Sequence, residues 1–283
     1  MPADPPPALL MYDGSRPELA ARAESLRPAI ERLLPVVATE SDLDAPFDPQ
    51  GAEIAIAMGG DGTILRSARR MGADQIPVVG VNLGKLGFLA GIHPDDLEAV
   101  LPQVAERKHR LVNHLMIDCS IVRGGETVQT RLGLNEAAIL AGEPFRMIEV
   151  DLRIDGALAA TYSSDGMLVA TPVGSTAHNL AIGGPILRKD LAALVVSAIN
   201  PHTLTVRPVI DSAERVYEMT VPDPNPGTAL MVDGQVVGLL KPADTVRVVR
   251  SPAVFQLVEV AGQTYYRTLR EKLGWGRQPG RRK

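Results

Sequence analysis

A change of periodicity near His109 constrains this chain more than any other feature of its sequence. Before it, strand-like and helix-like stretches alternate. Residues 8–12 form a short apolar run that ends at the turn signal Asp13-Gly14-Ser15. Over 17–34, Leu19, Ala20, Ala23, Leu26, Ile30 and Leu33 recur at helical spacing, with Pro17 in the first turn and Pro28 expected to bend or break the helix. Residues 53–58 read as a strand, 63–71 as a helix, 76–81 as a buried strand, and 94–108 as a helix kinked at Pro102. Such alternation predicts an α/β domain with a parallel sheet and helices on its faces. Beyond His109 come short β-rich runs at 115–122, 128–140, 147–154, 158–162, 167–170, 191–199, 203–210, 216–221, 229–232, 245–249 and 254–260. Turn signals such as Arg123-Gly124-Gly125 and Asp155-Gly156 punctuate them, which predicts a mostly antiparallel, β-rich second domain. Residues 264–273 read as helical again and could pack back on the first domain. The expected division is therefore 1–108, joined by a C-terminal helix at 264–275, and 109–260.

Bulk properties agree with two ordinary domains. The chain has 283 residues, 45% hydrophobic and 22% charged, enough apolar material for a core in each. A formal net charge of −4 offers no broad phosphate-backbone face, so no nucleic-acid partner is expected. The basic residues at 277–283 read as a solvated terminus. One cysteine, Cys119, forbids an intrachain disulfide and a cysteine-based zinc cluster. Residues 1–7 lack a basic region followed by an apolar core, and no apolar run reaches membrane-spanning length. A soluble, cytoplasmic protein with no membrane partner is the expectation.

Chemistry concentrates first at Gly59-Gly60-Asp61-Gly62-Thr63, between an apolar strand and a helix. Glycines here remove the Cβ atoms that would keep a ligand from the main chain, and they permit positive φ, so N–H groups can converge on phosphate oxygens. The helix start adds unpaired N–H groups, with Thr63 a candidate N-cap. Asp61 is left projecting into that phosphate site, where it could orient an attacking hydroxyl or help hold a metal. A tight turn with an incidental acid is the competing reading. Gly80-Val81-Asn82-Leu83-Gly84-Lys85-Leu86 has one residue too few for a Walker loop and lacks its hydroxyl.

A second concentration follows Ser163-Ser164-Asp165-Gly166. The strand 167–170 leads into Thr171-Pro172-Val173-Gly174-Ser175-Thr176-Ala177-His178, and Gly183-Gly184-Pro185 closes the segment. Ser175 or Thr176 could cap a short helix, and small side chains at Gly174, Ser175 and Ala177 could let a flat ring lie on the backbone. His178 alone reads more as a packed or solvated residue than as a ligand contact. Asn135-Glu136 interrupts an apolar run, and its polar atoms need partners, either within the protein or on a nucleotide. Asn82-Leu83-Gly84-Lys85-Leu86-Gly87-Phe88-Leu89 follows a strand and carries an exposed-looking Phe88. No metal-ligand spacing and no hydrolase triad is recognisable, so no protein-held metal is expected.

In this order, Gly59 to Thr63, Asn82 to Leu89, Asn135-Glu136 and the segment from Asp165 to Pro185 resemble the NAD kinase family. The resemblance spans 53–210, the Asp233-Gly234-Gln235 turn and the closing helix. The Gly-Gly-Asp-Gly-Thr run alone is shared with diacylglycerol and sphingosine kinases, so a lipid or sugar kinase is one alternative and a non-catalytic nucleotide sensor another. The resemblance implies a site in the cleft between the two domains and phosphorylation of the adenosine-ribose 2′-hydroxyl of NAD. It implies a donor loop of Gly59, Gly60, Gly62 and Thr63, with Asp61 catalytic. Asp61, Gly62, Arg66, Phe88, Asn135, Glu136, Arg146, Ser163, Asp165, Thr176, Ala177, His178, Asn179, Ala181 and Gln235 fall where relatives surround the dinucleotide. It also implies ATP with a divalent metal such as Mg²⁺, polyphosphate as a donor in some members, and a homodimer or homotetramer. This chain departs from its relatives at Val173, where Thr or Ser is usual, and at His178, where Tyr is usual.

Overall fold

The computed structural model describes residues 4–84, 87–260 and 265–274. The chain forms two compact units, one from residues 1–113 and 256–283 and the other from 114–255. No helix among the described residues is long and apolar enough to cross a membrane.

In the first unit the elements follow as β1 (Ala8–Tyr12), α1 (Pro17–Glu31), β2 (Val36–Glu40), β3 (Ile54–Gly59), α2 (Asp61–Met71), β4 (Val78–Asn82) and α3 (Leu97–Ala105). Strands β1, β3 and β4 are buried along their whole length, as a sheet covered on both faces requires. The order β2-β1-β3-β4 is parallel throughout. The helices close on it through Ala23 and Ile30 of α1, Ile64, Ala68 and Met71 of α2, and Leu97, Val100, Leu101 and Val104 of α3. Neither proline breaks its helix. Pro28 is exposed and α1 runs on to Glu31, while Pro102 lies inside α3, so in both the buried apolar stripe outweighs one lost backbone bond. Gly59 pairs with Asn82, which sets the turns after β3 and β4 side by side at the carboxyl end of the sheet. Open α/β sheets bind their ligands at that end.

The second unit is built from β5 (Arg110–Arg123, from His114 on), β6 (Glu126–Gly133), β7 (Glu136–Leu140), β8 (Ile148–Ile154), β9 (Ala157–Ser164), β10 (Gly166–Ala170), the single-turn α4 (His178–Ala181), β11 (Ala193–Ile199), β12 (Val209–Ser212), β13 (Tyr217–Thr220), β14 (Ala229–Val232), β15 (Gln235–Leu239) and β16 (Thr245–Glu259, as far as Phe255). One sheet is antiparallel in the order β12-β11-β10-β7-β14-β15. Alternation along β10 sends Met167 and Val169 into a core shared with Ile117, Val150, Tyr217, Met219 and Val246 of the other strands. Leu168 and Ala170 face a smaller cluster with Leu187, Val195 and Ile199. The run 128–140 is two strands, because the chain turns at Leu134-Asn135, and β16 passes through Pro252 unbroken beyond its pairing with β13. Strands β2 and β15, too short and weakly alternating to announce themselves, complete the sheet edges. The closing helix α5 (Tyr265–Leu273) belongs to the first unit; Thr264 and 275–283, the basic residues included, lie outside the described residues.

Candidate active site

In the first unit the strand-to-helix turn begins at Gly60, the N-cap of α2, and Asp61 is already the first helical residue. Thr63 is therefore not the cap expected of it. It sits in the first turn, buried, under Gly59, where any Cβ would come within 2.1 Å of its Oγ1. None of Gly59, Gly60 and Gly62 has a positive φ, so these glycines serve space rather than conformation. Among the described residues, added Cβ atoms at Gly60 and Gly62 would meet nothing within 4 Å, which leaves their backbone open to a ligand at a helix N-terminus.

Asp61 does not stand free in that space. Its Oδ2 accepts the Phe88 N–H at 2.6 Å, and its Oδ1 accepts those of Leu89 at 3.0 Å and Ala90 at 2.9 Å. Phe88 is half-buried, with the Lys272 ammonium of α5 at 4.0 Å from its ring centroid. Lys85 and Leu86 of the same loop lie outside the described residues. Arg66 spends both terminal nitrogens on carboxylates of its own unit, on Asp13 and Asp44 at 2.8 Å each.

In the second unit three strand ends converge, since β7 begins at Glu136 opposite Ala170, the last residue of β10, and Val232 of β14 pairs with Ala137. Asp233, in the left-handed region at φ 49°, turns its carboxylate back onto this corner. Its Oδ2 accepts Leu134 N–H at 2.8 Å and its Oδ1 those of Asn135 and Glu136 at 2.7 and 3.1 Å. Thr171 ties in the next loop by donating its hydroxyl to the Leu134 carbonyl at 2.6 Å and its N–H to that of Asn135. Glu136 is 7% exposed, and its Oε2 has no partner among the described residues. Burial, and secondarily the Asp233 charge, push its carboxyl up to about 8. A buried acceptor held neutral near pH 7 and unpaired at one oxygen is suited to a ligand hydroxyl.

Several expectations for the 171–185 segment are corrected. Gly174 is fixed by packing, since a Cβ there would lie 2.1 Å from the Asn135 carbonyl oxygen, so it provides no bed for a flat ring. Ser175 is buried and bonded to the Pro172 carbonyl and the Leu187 N–H, Thr176 to the Val173 carbonyl, and the N-cap of α4 is Ala177. Asn179 is fully buried and spends its amide on Ser175, Pro185 and Ser197, which makes it a strut. Val173 is 3% exposed and belongs to the interior, whereas Thr176, Ala177 and His178 are half-buried and Ala181 and Gln235 exposed.

The expected dinucleotide residues of this unit fall into two groups. Asn135, Glu136, Gln235 and residues 176–181 gather where β7 begins and β10 ends. Ser163, Asp165 and Arg146 lie at the opposite end, where Leu140 pairs with Gly166 and Ala141 N–H reaches the Asp165 carbonyl. Four steps along β10 separate the groups, about 14 Å at the ~3.4 Å rise of a strand. Asp165 there accepts from the Asn200 amide at 3.0 Å, while Arg146 and Ser163 are exposed. Asp233 and Gly87 were missed at sequence level. Asp233 was legible only as an Asp-Gly hairpin turn, and nothing local marks Gly87 as a neighbour of Asp61.

No cluster of three or more metal-ligating side chains occurs among the described residues. A Gly-rich turn with an acid at a helix N-terminus, at the carboxyl end of a parallel sheet, is the apparatus of a phosphotransferase, here one with an alcohol acceptor. Residues 11–109 match the family model of the ATP-NAD kinase N-terminal domain, and residues 134–260 that of the ATP-NAD kinase C-terminal domain. The chain belongs to the NAD kinase family. It is 45% identical over 271 residues to the NAD kinase of Rhodopirellula baltica, covering 96% of this chain and 87% of that protein. To the NAD kinase of Azoarcus sp. it is 40% identical over 228 residues, covering 81% and 77%. The fold is also that of yeast NADH kinase complexed with NADH (TM-score 0.84, 21% identity, 97% and 89% covered). An NAD kinase from Archaeoglobus fulgidus in complex with ATP shares it as well (TM-score 0.76, 24% identity, 94% and 97% covered).

Proposed function

We propose that this chain transfers the terminal phosphoryl group of ATP to the 2′-hydroxyl of the adenosine ribose of NAD, with Asp61 directing the hydroxyl. A bond forms from the 2′-oxygen to phosphorus as the bond to the bridging oxygen of ADP breaks, and the hydroxyl proton passes to the Asp61 carboxylate and from there to solvent. Open backbone at Gly60 and Gly62 beside the Asp61 carboxylate carries this reading. The N–H groups of the α2 N-terminus receive donor phosphates, and Thr63 supports the turn from beneath. A divalent ion such as Mg²⁺, held by the ATP phosphates, would supply charge neutralisation at the transferring group. Asn135 and Glu136, with Gln235, Thr176, Ala177 and His178 around them, hold the dinucleotide. The unpaired Oε2 of Glu136 supports this.

Inorganic polyphosphate is a second donor in this reading, since open amides recognise phosphate rather than adenine. The chain acts in the cytoplasm, where its substrates are made and used, and as a homodimer or homotetramer. The exposed Val209 and Ile210 on edge strand β12 support an assembly.

The test is purified protein with NAD, Mg²⁺ and either ATP or polyphosphate, scored for NADP. Asp61→Asn is expected to lower kcat by roughly 10²- to 10⁴-fold. It also sets an amide NH₂ against the Phe88 N–H while the remaining oxygen keeps those of Leu89 and Ala90, so a modest fall in Tm accompanies the loss. More than about half of the native kcat in that variant removes Asp61 from the mechanism.

A further inference from the structure

The segment after β4 contains a device built around Asp61. A carboxylate offers about four lone-pair sites. Among the described residues, Oδ1 of Asp61 receives two N–H groups and Oδ2 one, so one acceptor site remains, on Oδ2. The loop that supplies these donors is fastened at its base by Asn82, which is 2% exposed. Its Nδ2 donates to the Ala90 carbonyl at 3.2 Å and its Oδ1 accepts the Gly84 N–H at 2.7 Å. The Gly87 N–H also reaches the Ala90 carbonyl, at 3.3 Å. Gly87 touches the carboxylate itself, because a Cβ there would lie 1.8 Å from Oδ1 and 2.6 Å from Cγ of Asp61. Its lack of a side chain is what allows the carboxylate to lie against the loop.

We propose that residues 87–90, held by Asn82, are a clamp that orients the Asp61 carboxylate, with Asn82 and Gly87 as positioning residues, and leave the free lone pair of Oδ2 to accept the hydrogen of the substrate alcohol. This rests on the reading of Asp61 as the catalytic group. A displacement of about 1 Å at such a group can cost 10²-fold in rate. The clamp therefore acts on turnover, while the donor-facing amides of Gly60 and Gly62 are untouched.

Gly87→Ala moves the carboxylate, the far end of a side chain, more readily than it moves the loop. It is to be made in the native protein and in Asp61→Asn, with kcat and both KM values measured and Tm followed. The expected result is a 10- to 100-fold fall in kcat in the native background with KM for ATP within about twofold. In Asp61→Asn the same change should cost less than about twofold, since no carboxylate remains to be positioned. Equal fractional losses in both backgrounds, or native kcat in Gly87→Ala, overturn the clamp. Native kcat in Asp61→Asn alone instead overturns the catalytic reading, and the clamp with it. Should Gly87→Ala not fold, Asn82→Asp serves in its place, keeping the acceptor for Gly84 and losing the donor to Ala90, with a roughly 3- to 10-fold fall in kcat expected under the same cycle. Independently of residual activity, Asp61→Ala should speed amide hydrogen exchange at Phe88, Leu89 and Ala90, and unchanged exchange there also overturns the clamp.

Discussion

Glu136 and Asp61 are both carboxylates at strand ends, yet they are prepared for opposite tasks. Asp61 is saturated by three N–H donors but for one lone pair, whereas Glu136 is buried with one oxygen unpaired. Because burial holds Glu136 up at about 8, it is mostly protonated at pH 7. A ribose hydroxyl donating to Oε2 stabilises the ionised form. NAD binding at pH 7 is therefore expected to release a fraction of a proton, so that calorimetric binding enthalpies differ between buffers of unlike ionisation enthalpy. Glu136→Gln should make them agree, and buffer-independent enthalpies in the native protein would remove Glu136 from the dinucleotide site. At this scale the sequence showed which polar residues were out of place, Asp61 among glycines and Asn135-Glu136 in an apolar run. It could not show that Asn179 is consumed internally, because Ser197, 18 residues further on, completes its bonding.

The turns show how one residue type serves two purposes. Gly174 is demanded by a neighbouring carbonyl, and Gly60 and Gly62 by nothing among the described residues. Gly174→Ala should displace Asn135, with an overpacking cost of about 1–3 kcal/mol. At that cost Tm falls by several degrees for a unit of this size, and KM for NAD rises. Gly62→Ala lies within α2, where alanine is the better helix former, so Tm should hold or rise while KM for ATP increases. An unchanged KM for ATP would mean that donor phosphates do not approach there. The periodicity of the strands and helices was readable for most elements, since buried stripes dominate them. The strand break at 134–135 was not, because Asp233 imposes it from about a hundred residues on.

For the molecule as a whole, two buried groups shape stability against pH from opposite sides. His114 is driven down to about 3, chiefly by burial and then by the Lys189 charge. The folded chain thus binds fewer protons than the unfolded one between about 3 and 6.5, and stability is lost as pH falls through that window. Glu136 is raised from 4.5 to about 8, so the folded chain binds more protons there, and stability is lost as pH rises from 4.5 through 8. The two slopes oppose between 4.5 and 6.5, where Tm should be flat. Above 6.5 the Glu136 slope is the one that remains among these two, about 1.4 kcal/mol per pH unit. Glu136→Gln should abolish the decline between 6.5 and 8; an equally steep decline in that variant refutes the assignment. The two-part architecture was legible from the change at His109, because parallel and antiparallel sheets leave different apolar patterns.

Asp61 and Asp233 use one device twice, a carboxylate cupping three successive backbone N–H groups, across 27–29 residues in one unit and 97–99 in the other. Neither loop can take its final shape from its own sequence. Each waits for a distant segment to arrive, and the entropy of closing so long a span opposes early capture. During refolding the strands and helices are therefore expected to assemble first, and the ability to make NADP to return in a later phase than the ellipticity of the backbone.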